Sequence, residues 1–466
     1  MRIMSLQQLA AVTNGTVHGA DVTFNAISSD TRTLEVGELF VALQGENFDA
    51  NKFAEQAKNK GAVAALLSAD SSVDMPYIKV ADTLKALTQL ATAEREKTTI
   101  PVIGITGSNG KTSVKEMLVS ILSPHMKVLA TQGNLNNQIG VPLTLLKLTK
   151  EHQVAVIEMG ASQQGDIRHL CGIAKPTVAI LNNIAAAHLA GFGDLEGVAS
   201  AKSEIISGLN DAGTAVLNRE EPWFEQWVAL AAGKKVTSFG WSNTADVWAD
   251  IASVKTGLTD GVFSTSFVLN YQQQSAAIRL NLVGQHNVLN ALAASAAAIS
   301  LAVSLEQVQQ GLAVLKPVSG RLQPFRGLAG SVVVNDCYNA NPKSFEAAMD
   351  SLAQVNIPVW LVLGDFAELG VNSQQIHQQI GEALVESNVQ RVFAVGDNMQ
   401  CLVNAFNQAL SGAQRSAEHF PSKRSMVARL VAEMRSDTVV LVKGSRSQGL
   451  ESVIQEITLQ EGHSCC

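Results

Sequence analysis

Residues 102–113 read VIGITGSNGKTS. A hydrophobic run, Val102–Thr106, leads into Gly107, Ser108, Asn109, Gly110, Lys111, Thr112 and Ser113, and a helix is expected from Lys111. Glycines in such a turn let backbone N–H groups point inward around phosphate oxygens, and the helix N-terminus adds its positive dipole end. Lys111 would neutralise charge on the β- and γ-phosphates, and the Thr112 hydroxyl would face Mg²⁺. The spacing is the short TGxxGKT, with Ile105 where the longer phosphate loop carries its first glycine. The stretch predicts nucleotide binding at the edge of a parallel sheet.

Working outward, Val154–Glu158, Thr177–Asn182 and Thr214–Asn218 read as further strands with helical patterns between them. That alternation predicts a parallel sheet with helices on both faces. Glu158 closes the apolar run VAVIE, at the sheet edge where ligands bind, and a carboxylate there can hold Mg²⁺. Residues 246–282 alternate and lack helical patterns, which suggests an antiparallel addition. An Ala-rich helix is expected after Gly284. Beyond Lys316-Pro317 the strands Val332–Asn335, Val359–Gly364, Arg391–Gly396 and Thr438–Val442 predict a second doubly wound unit. Ahead of the phosphate loop, Leu39–Leu43 and Ala62–Leu67 predict a small mixed unit, and the Thr/Glu/Lys-rich segment 92–99 before Pro101 reads as its boundary. The expected fold is therefore α/β with three domains: 1–98, a central phosphate-loop domain 99–316, and a Rossmann-like domain 317–466.

Composition narrows the class. A length of 466 residues exceeds one core at ~100–200 residues per domain. With 46% hydrophobic and 16% charged residues the chain is not disordered. A net charge of −7 speaks against nucleic acid held by a basic field. Five scattered cysteines make no disulfide framework, and the Cys465-Cys466 tail reads as a reduced, solvated terminus. The first residues carry no signal-peptide stretch, and 288–303 is interrupted by Asn290, Ser295 and Ser300, so a buried helix is expected there rather than a membrane span. The expectation is a cytoplasmic protein without a membrane partner, working as a monomer.

The strings TGSNGKTS, GNLNNQIGVP, IEMGAS, NNIAAAHLAGFG, AKSEI, GQHNVLNALAA, GRLQPF, DCYNANP, GDFAELG and VKGSRS occur in this order across all three blocks. Together they resemble the Mur ligase family, the ATP-dependent amino-acid-adding enzymes of bacterial peptidoglycan synthesis. Asp-Asn-Pro-Arg, which marks relatives that add diaminopimelate, is absent. The resemblance is therefore to the branch that adds D-alanyl-D-alanine to UDP-MurNAc-tripeptide, with diaminopimelate or lysine as third residue. It implies an acyl phosphate formed from ATP and the tripeptide carboxylate, then attack by the dipeptide amine. Two anions must approach, so such a site supplies positive charge and alignment.

The resemblance also implies roles. Gly107, Ser108, Asn109, Gly110, Lys111, Thr112 and Ser113 fall on the ATP loop, and Lys111, Lys202, His188 and Glu158 on the catalytic set. Thr112, Glu158, His188 and Lys202, the last as a carbamate, fall on the Mg²⁺ ligands. Asn290, Arg321, Asp336, Tyr338 and Asn339 would contact the nucleotide, with Asp336 on the ribose and Asn341 in the same loop. Ser28, Arg32 and Asn47 would meet the UDP part, and Asn134 and Asn137 the rest of the substrate. Lys443, Ser445 and Arg446 would hold the dipeptide carboxylate, while Asp365 and Glu368 would attract its ammonium. Two other classes share the loop. Folylpolyglutamate synthase uses the same chemistry but has no comparable N-terminal block. A switch or motor ATPase hydrolyses ATP without a carboxylate acceptor.

Overall fold

Strand β6 (Val102–Thr106) is buried along its whole length, as a strand in the middle of a parallel sheet must be. The computed structural model describes residues 2–45, 48–186, 189–259, 262–353, 358–367, 369–410 and 415–459. It forms three α/β units, each built on its own sheet.

The first unit holds β1 (Thr16–His18), β2 (Ile27–Ser28), β3 (Leu39–Val41), β4 (Ala64–Leu67) and β5 (Tyr77–Lys79), in the order β1-β5-β4-β3-β2. The segment 92–99, read from sequence as a boundary, is largely helical. Helix α1 (Thr83–Glu96) runs through it. Arg95 explains why: its buried guanidinium donates to the carbonyls of Ala174, Thr98, Ile100 and Lys175. Leu87, Leu90 and Ala91 join a core shared with the central unit.

The central sheet adds β7 (Val128–Ala130), β8 (Val154–Glu158), β9 (Val178–Leu181), β10 (Thr214–Asn218), β11 (Lys235–Gly240), β12 (Val247–Trp248), β13 (Lys255–Thr259), β14 (Val262–Tyr271) and β15 (Gln274–Leu280). Its order is β7-β8-β6-β9-β10-β11-β12-β14-β13, with β15 on β14. Pairing is parallel from β7 to β12 and antiparallel beyond. The stretch 246–282 thus extends the main sheet through β12. One face is covered by α2 (Lys111–Leu122) and the Ala-rich α4 (Gln285–Ser300), whose small side chains allow close packing on the strands. Between them in sequence, α3 (Leu195–Ser207) lies on the opposite face.

The third sheet, β16 (Gln323–Arg326), β17 (Val332–Asp336), β18 (Val359–Gly364), β19 (Val389–Val395), β20 (Ser416–Phe420) and β21 (Val439–Lys443), runs β16-β17-β21-β18-β19-β20. All pairs are parallel except β16 with β17, and apolar clusters cover both faces. Helices α5 (Pro342–Ala353) and α6 (Met399–Ala409) belong to this unit. The second and third units face each other with the carboxyl edges of their parallel strands, the edges where open α/β sheets bind ligands. No helix among the described residues is long and apolar enough to cross a membrane.

Candidate active site

The phosphate loop leaves β6 and turns into α2 at Gly110, whose φ of +79° is left-handed. A Cβ there would lie 2.3 Å from Asn290 Oδ1 and 2.6 Å from Asn182 Nδ2, so glycine is required by conformation and by space. Ser108 N donates to the Asn183 carbonyl, the Ser108 hydroxyl to the Ala185 carbonyl, and Asn109 N to Asn183 Oδ1 (2.8 Å). Lys111 folds over the loop and donates to the carbonyls of Gly107 (2.7 Å) and Ser108 (3.2 Å). Burial, aided by Arg321, lowers its pKa, and the Glu158 charge opposes that shift. Ser113 follows, buried in the first turn of α2.

Glu158 is 2% exposed at the end of β8. Its Oε2 accepts from the Thr112 hydroxyl (2.9 Å) and its Oε1 from Asn136 Nδ2 (2.8 Å). A buried carboxylate with neutral donors beside a threonine hydroxyl is a hard-oxygen pair that suits Mg²⁺. Lys202, on α3, is 2% exposed, with Nζ 5.7 Å from the centre of the Phe192 ring. Burial, helped by the Lys111 charge, pulls its pKa down to about 7. His188 and Asn47 lie outside the described residues, as does Glu368.

The third unit closes the site. Arg321 donates to the Thr112 hydroxyl (3.1 Å) and stacks on Tyr338, its guanidinium carbon 4.4 Å from the ring centre. Asn341 Nδ2 donates to Asn109 Oδ1 (3.0 Å), and Lys343 Nζ to the Ile184 carbonyl. Asp336 accepts from Leu322 N (3.1 Å) and from Lys443 Nζ (2.6 Å), and Lys443 also donates to the Asn339 carbonyl. A cavity of about 490 Å³ joins these parts, lined by Lys111, Glu158, Asn290, Arg321, Asp336 and Tyr338 among others. His286 lines it too, neutral because burial takes its pKa down to about 4.

Several sequence expectations meet different surroundings. Lys443, Ser445 and Arg446 do not form one anion cradle here. Lys443 is 1% exposed and paired with Asp336, Ser445 donates to the Asp365 carbonyl, and Arg446 pairs with Glu451. Asp365, expected to attract the incoming ammonium, has its carboxylate at the start of α6, where it accepts from Asn398 N and Met399 N. Asn137 caps the helix Gly140–Leu145 through Ile139 N and Gly140 N, and Asn134 is exposed. The loop residue on the Glu158 carboxylate is Asn136, between them; the run GNLNNQIGVP flags the loop but not which asparagine turns inward. In the first unit, Ser28 accepts from Asp30 N and donates to the Asp30 carbonyl, and Arg32 grips Asp30 in a fork that lowers the Asp30 pKa to about 2. Asn182, the end of the expected strand Thr177–Asn182, and Asn183 are the residues that bolt the loop, a role that the string NNIAAAHLAGFG does not mark.

A phosphate loop on one parallel sheet, capped by a second doubly wound unit across a shared cavity, defines a multidomain nucleotide-binding enzyme. Family models place it further. Residues 23–103 match the Mur ligase family catalytic domain, 105–298 the Mur ligase middle domain, and 320–446 the Mur ligase glutamate ligase domain. The chain is 43% identical over 465 residues, 99% of each chain, to UDP-N-acetylmuramoyl-tripeptide–D-alanyl-D-alanine ligase of Escherichia coli strain K12. It is 33% identical to the enzyme of that name from Bacillus subtilis strain 168, covering 97% of this chain and 98% of that one. Among solved structures, MurF from Acinetobacter baumannii superposes with a TM-score of 0.89 at 35% identity, covering 98% and 99% of the two chains. MurF from Thermotoga maritima, in complex with ADP, gives 0.81 at 27% identity over 93% and 96%. The chain belongs to the Mur ligase family. Folylpolyglutamate synthase of Mycobacterium tuberculosis shares the fold alone, at 18% identity and a TM-score of 0.64.

Proposed function

We infer that this chain is an ATP-dependent ligase that joins D-alanyl-D-alanine to UDP-MurNAc-tripeptide, giving UDP-MurNAc-pentapeptide, ADP and phosphate. The observation that carries this reading is the end-to-end likeness to enzymes of that name, at 43% identity over 99% of both chains. The site is consistent in chemistry. An oxygen of the tripeptide carboxylate attacks the γ-phosphorus and ADP leaves. The dipeptide amine then attacks the carbonyl carbon, phosphate leaves, and the amine nitrogen loses a proton.

Each step asks the protein for charge and alignment more than for covalent chemistry. Lys111, now on two loop carbonyls, is placed to transfer its ammonium to phosphate oxygens. Arg321 lies over the same region from the third unit, so closure brings a second cation to the developing charge. Thr112, Glu158 and Lys202 as its carbamate would hold Mg²⁺, with His188 as the family's fourth ligand; the metal would neutralise the phosphates and align them. Asp336, fixed by Lys443, is assigned to the ribose, with Asn290, Tyr338 and Asn339 around the nucleotide. Residues 1–98 are read as the UDP-substrate domain, 99–316 as the ATP domain and 317–466 as the nucleotide and dipeptide domain. We read the enzyme as a monomer, and the ATP requirement fits the cytoplasm.

The test is a matrix of ATP with UDP-MurNAc-peptides and amino donors. ADP release should need both UDP-MurNAc-tripeptide and D-alanyl-D-alanine. Release without an acceptor carboxylate, or preference for a single amino acid, would overturn the reading.

A further inference from the structure

Four buried asparagines from three separate elements run through the floor of the nucleotide cavity. Asn218 ends β10, Asn182 follows β9, and Asn290 and Asn287 lie on α4; they are between 1% and 5% exposed. Asn218 Nδ2 donates to the Asn182 carbonyl (2.9 Å). Asn182 Nδ2 donates to Asn290 Oδ1 (2.8 Å) and also to the Asn109 carbonyl in the phosphate loop (3.0 Å). Asn290 Nδ2 donates to Asn287 Oδ1, and Asn287 Nδ2 to the Val283 carbonyl (2.8 Å).

The series has a direction. It ends on a backbone carbonyl, which can only accept, so the amides of Asn287, Asn290 and Asn182 are set one by the next, and that of Asn218 by the Asn182 carbonyl. Turning any one of them would place donor against donor or acceptor against acceptor in a buried, low-dielectric place. Asn182 is the branch point, because both N–H bonds of its amide are used, one on the loop and one on Asn290. Gly110 packs against that junction, with no room for a Cβ between them.

We propose that Asn182 is a positioning residue for nucleotide binding: its amide nitrogen locks the shape of the phosphate loop to the orientation of the Asn290 amide, so that both meet the nucleotide in one fixed arrangement. A residue wanted only for core stability would be better apolar here, since buried amides gain little net stability for their desolvation. The inference rests on the nucleotide-binding reading above. It assigns to Asn182 a role exercised through Asn109 and Asn290.

The experiment is ADP titration of the full chain by calorimetry, with KM values and thermal unfolding in parallel. Asn182→Asp puts an acceptor where the donor was, facing two acceptors. It should raise the Kd for ADP and the KM for ATP at least about tenfold, the size expected when a buried hydrogen bond is lost and its partners are left unsatisfied. The KM for UDP-MurNAc-tripeptide should stay within about twofold. Asn182→Ser, which keeps one donor and the smaller disturbance, should fall between and serves if the aspartate variant does not fold. In a cycle with Asn290→Ala, the Asn182→Ala, Asn290→Ala double variant should bind ADP no more weakly than about the worse single one, because one acts through the other. Fold-changes that multiply would overturn the proposal, as would lowered stability with an unchanged Kd for ADP. If the unaltered chain fails to bind ADP, the nucleotide reading itself falls. If it binds and the Asn182 variants match it, only the positioning role does.

Discussion

Replacing Lys443 by methionine separates two accounts of this residue. By sequence it belongs with Ser445 and Arg446 as a holder of the dipeptide carboxylate; in the structure it is buried against Asp336 at 2.6 Å. Methionine keeps the apolar stem and removes the charge, leaving Asp336 with the Leu322 N–H but no cation. Removing one partner of a buried pair costs about 3–5 kcal/mol, because the other charge is left uncompensated. The pair ties β17 to β21, neighbours in the third sheet, so the loss should appear there first. Hydrogen exchange read by mass spectrometry, strand by strand, suits a chain of three units better than a single melting curve. Protection of the slowest amides in β17 and β21 should fall by about 10²–10⁴-fold, the equivalent of that energy, while β6 and β8 keep theirs. Adding Asp336→Asn should restore most of the protection, since no unpaired charge then remains. The KM for ATP should rise in Lys443→Met, because the carboxylate assigned to the ribose loses its anchor. The reasoning is refuted if protection in β17 and β21 stays within about threefold and only the dipeptide KM rises.

Three other expectations can be checked with standard assays. Lys111→Ala should lower turnover by roughly 10²-fold or more with the fold intact, as when charge stabilisation at a transition state is removed; near-normal turnover in a folded variant would take the loop out of the mechanism. Lys202 should carry a carbamate in active enzyme: its pKa of about 7 leaves much of the amine neutral and able to attack CO₂, with loss of a proton on forming the N–C bond. Intact-mass or density data showing unmodified Lys202 in fully active protein would contradict this, as would wild-type turnover in Lys202→Ala. His286 is held neutral, with its folded pKa near 4 against an ordinary 6.5. The unfolded chain therefore binds more protons between those values, and stability should fall as pH drops from about 6.5 to 4, by up to about 3 kcal/mol. His286→Gln should flatten that slope in pH-dependent denaturation, and an equal slope in both proteins would show that other groups carry it.

Much of the candidate site is legible in the sequence because its geometry is local. From Val102 to Thr112 the strand, the turn and the helix start lie within eleven residues, and glycine is demanded where φ is positive. Glu158 was found for a similar reason: strand ends in a parallel sheet collect at one edge. The Ala-rich pattern of α4 likewise announced a buried helix, and its small side chains do pack on the sheet.

What the chain order could not reveal is which polar side chains turn inward once distant elements meet. Asn134, Asn136 and Asn137 are alike in composition and spacing, yet only Asn136 reaches Glu158, because the loop crosses β8 at that residue. Lys443 and Asp336 are 107 residues apart and become partners because β17 and β21 are neighbours in the third sheet. Asp365, read from the sequence only as an attractor for the ammonium, caps α6, whose N-terminal N–H groups need an acceptor. The asparagine series through Asn182 joins β9, β10 and α4, elements that only the folded central unit brings together. A hydrogen bond is decided within about 3 Å, and the sequence sets such distances only between near neighbours; for the rest, the packing of sheets and helices sets them.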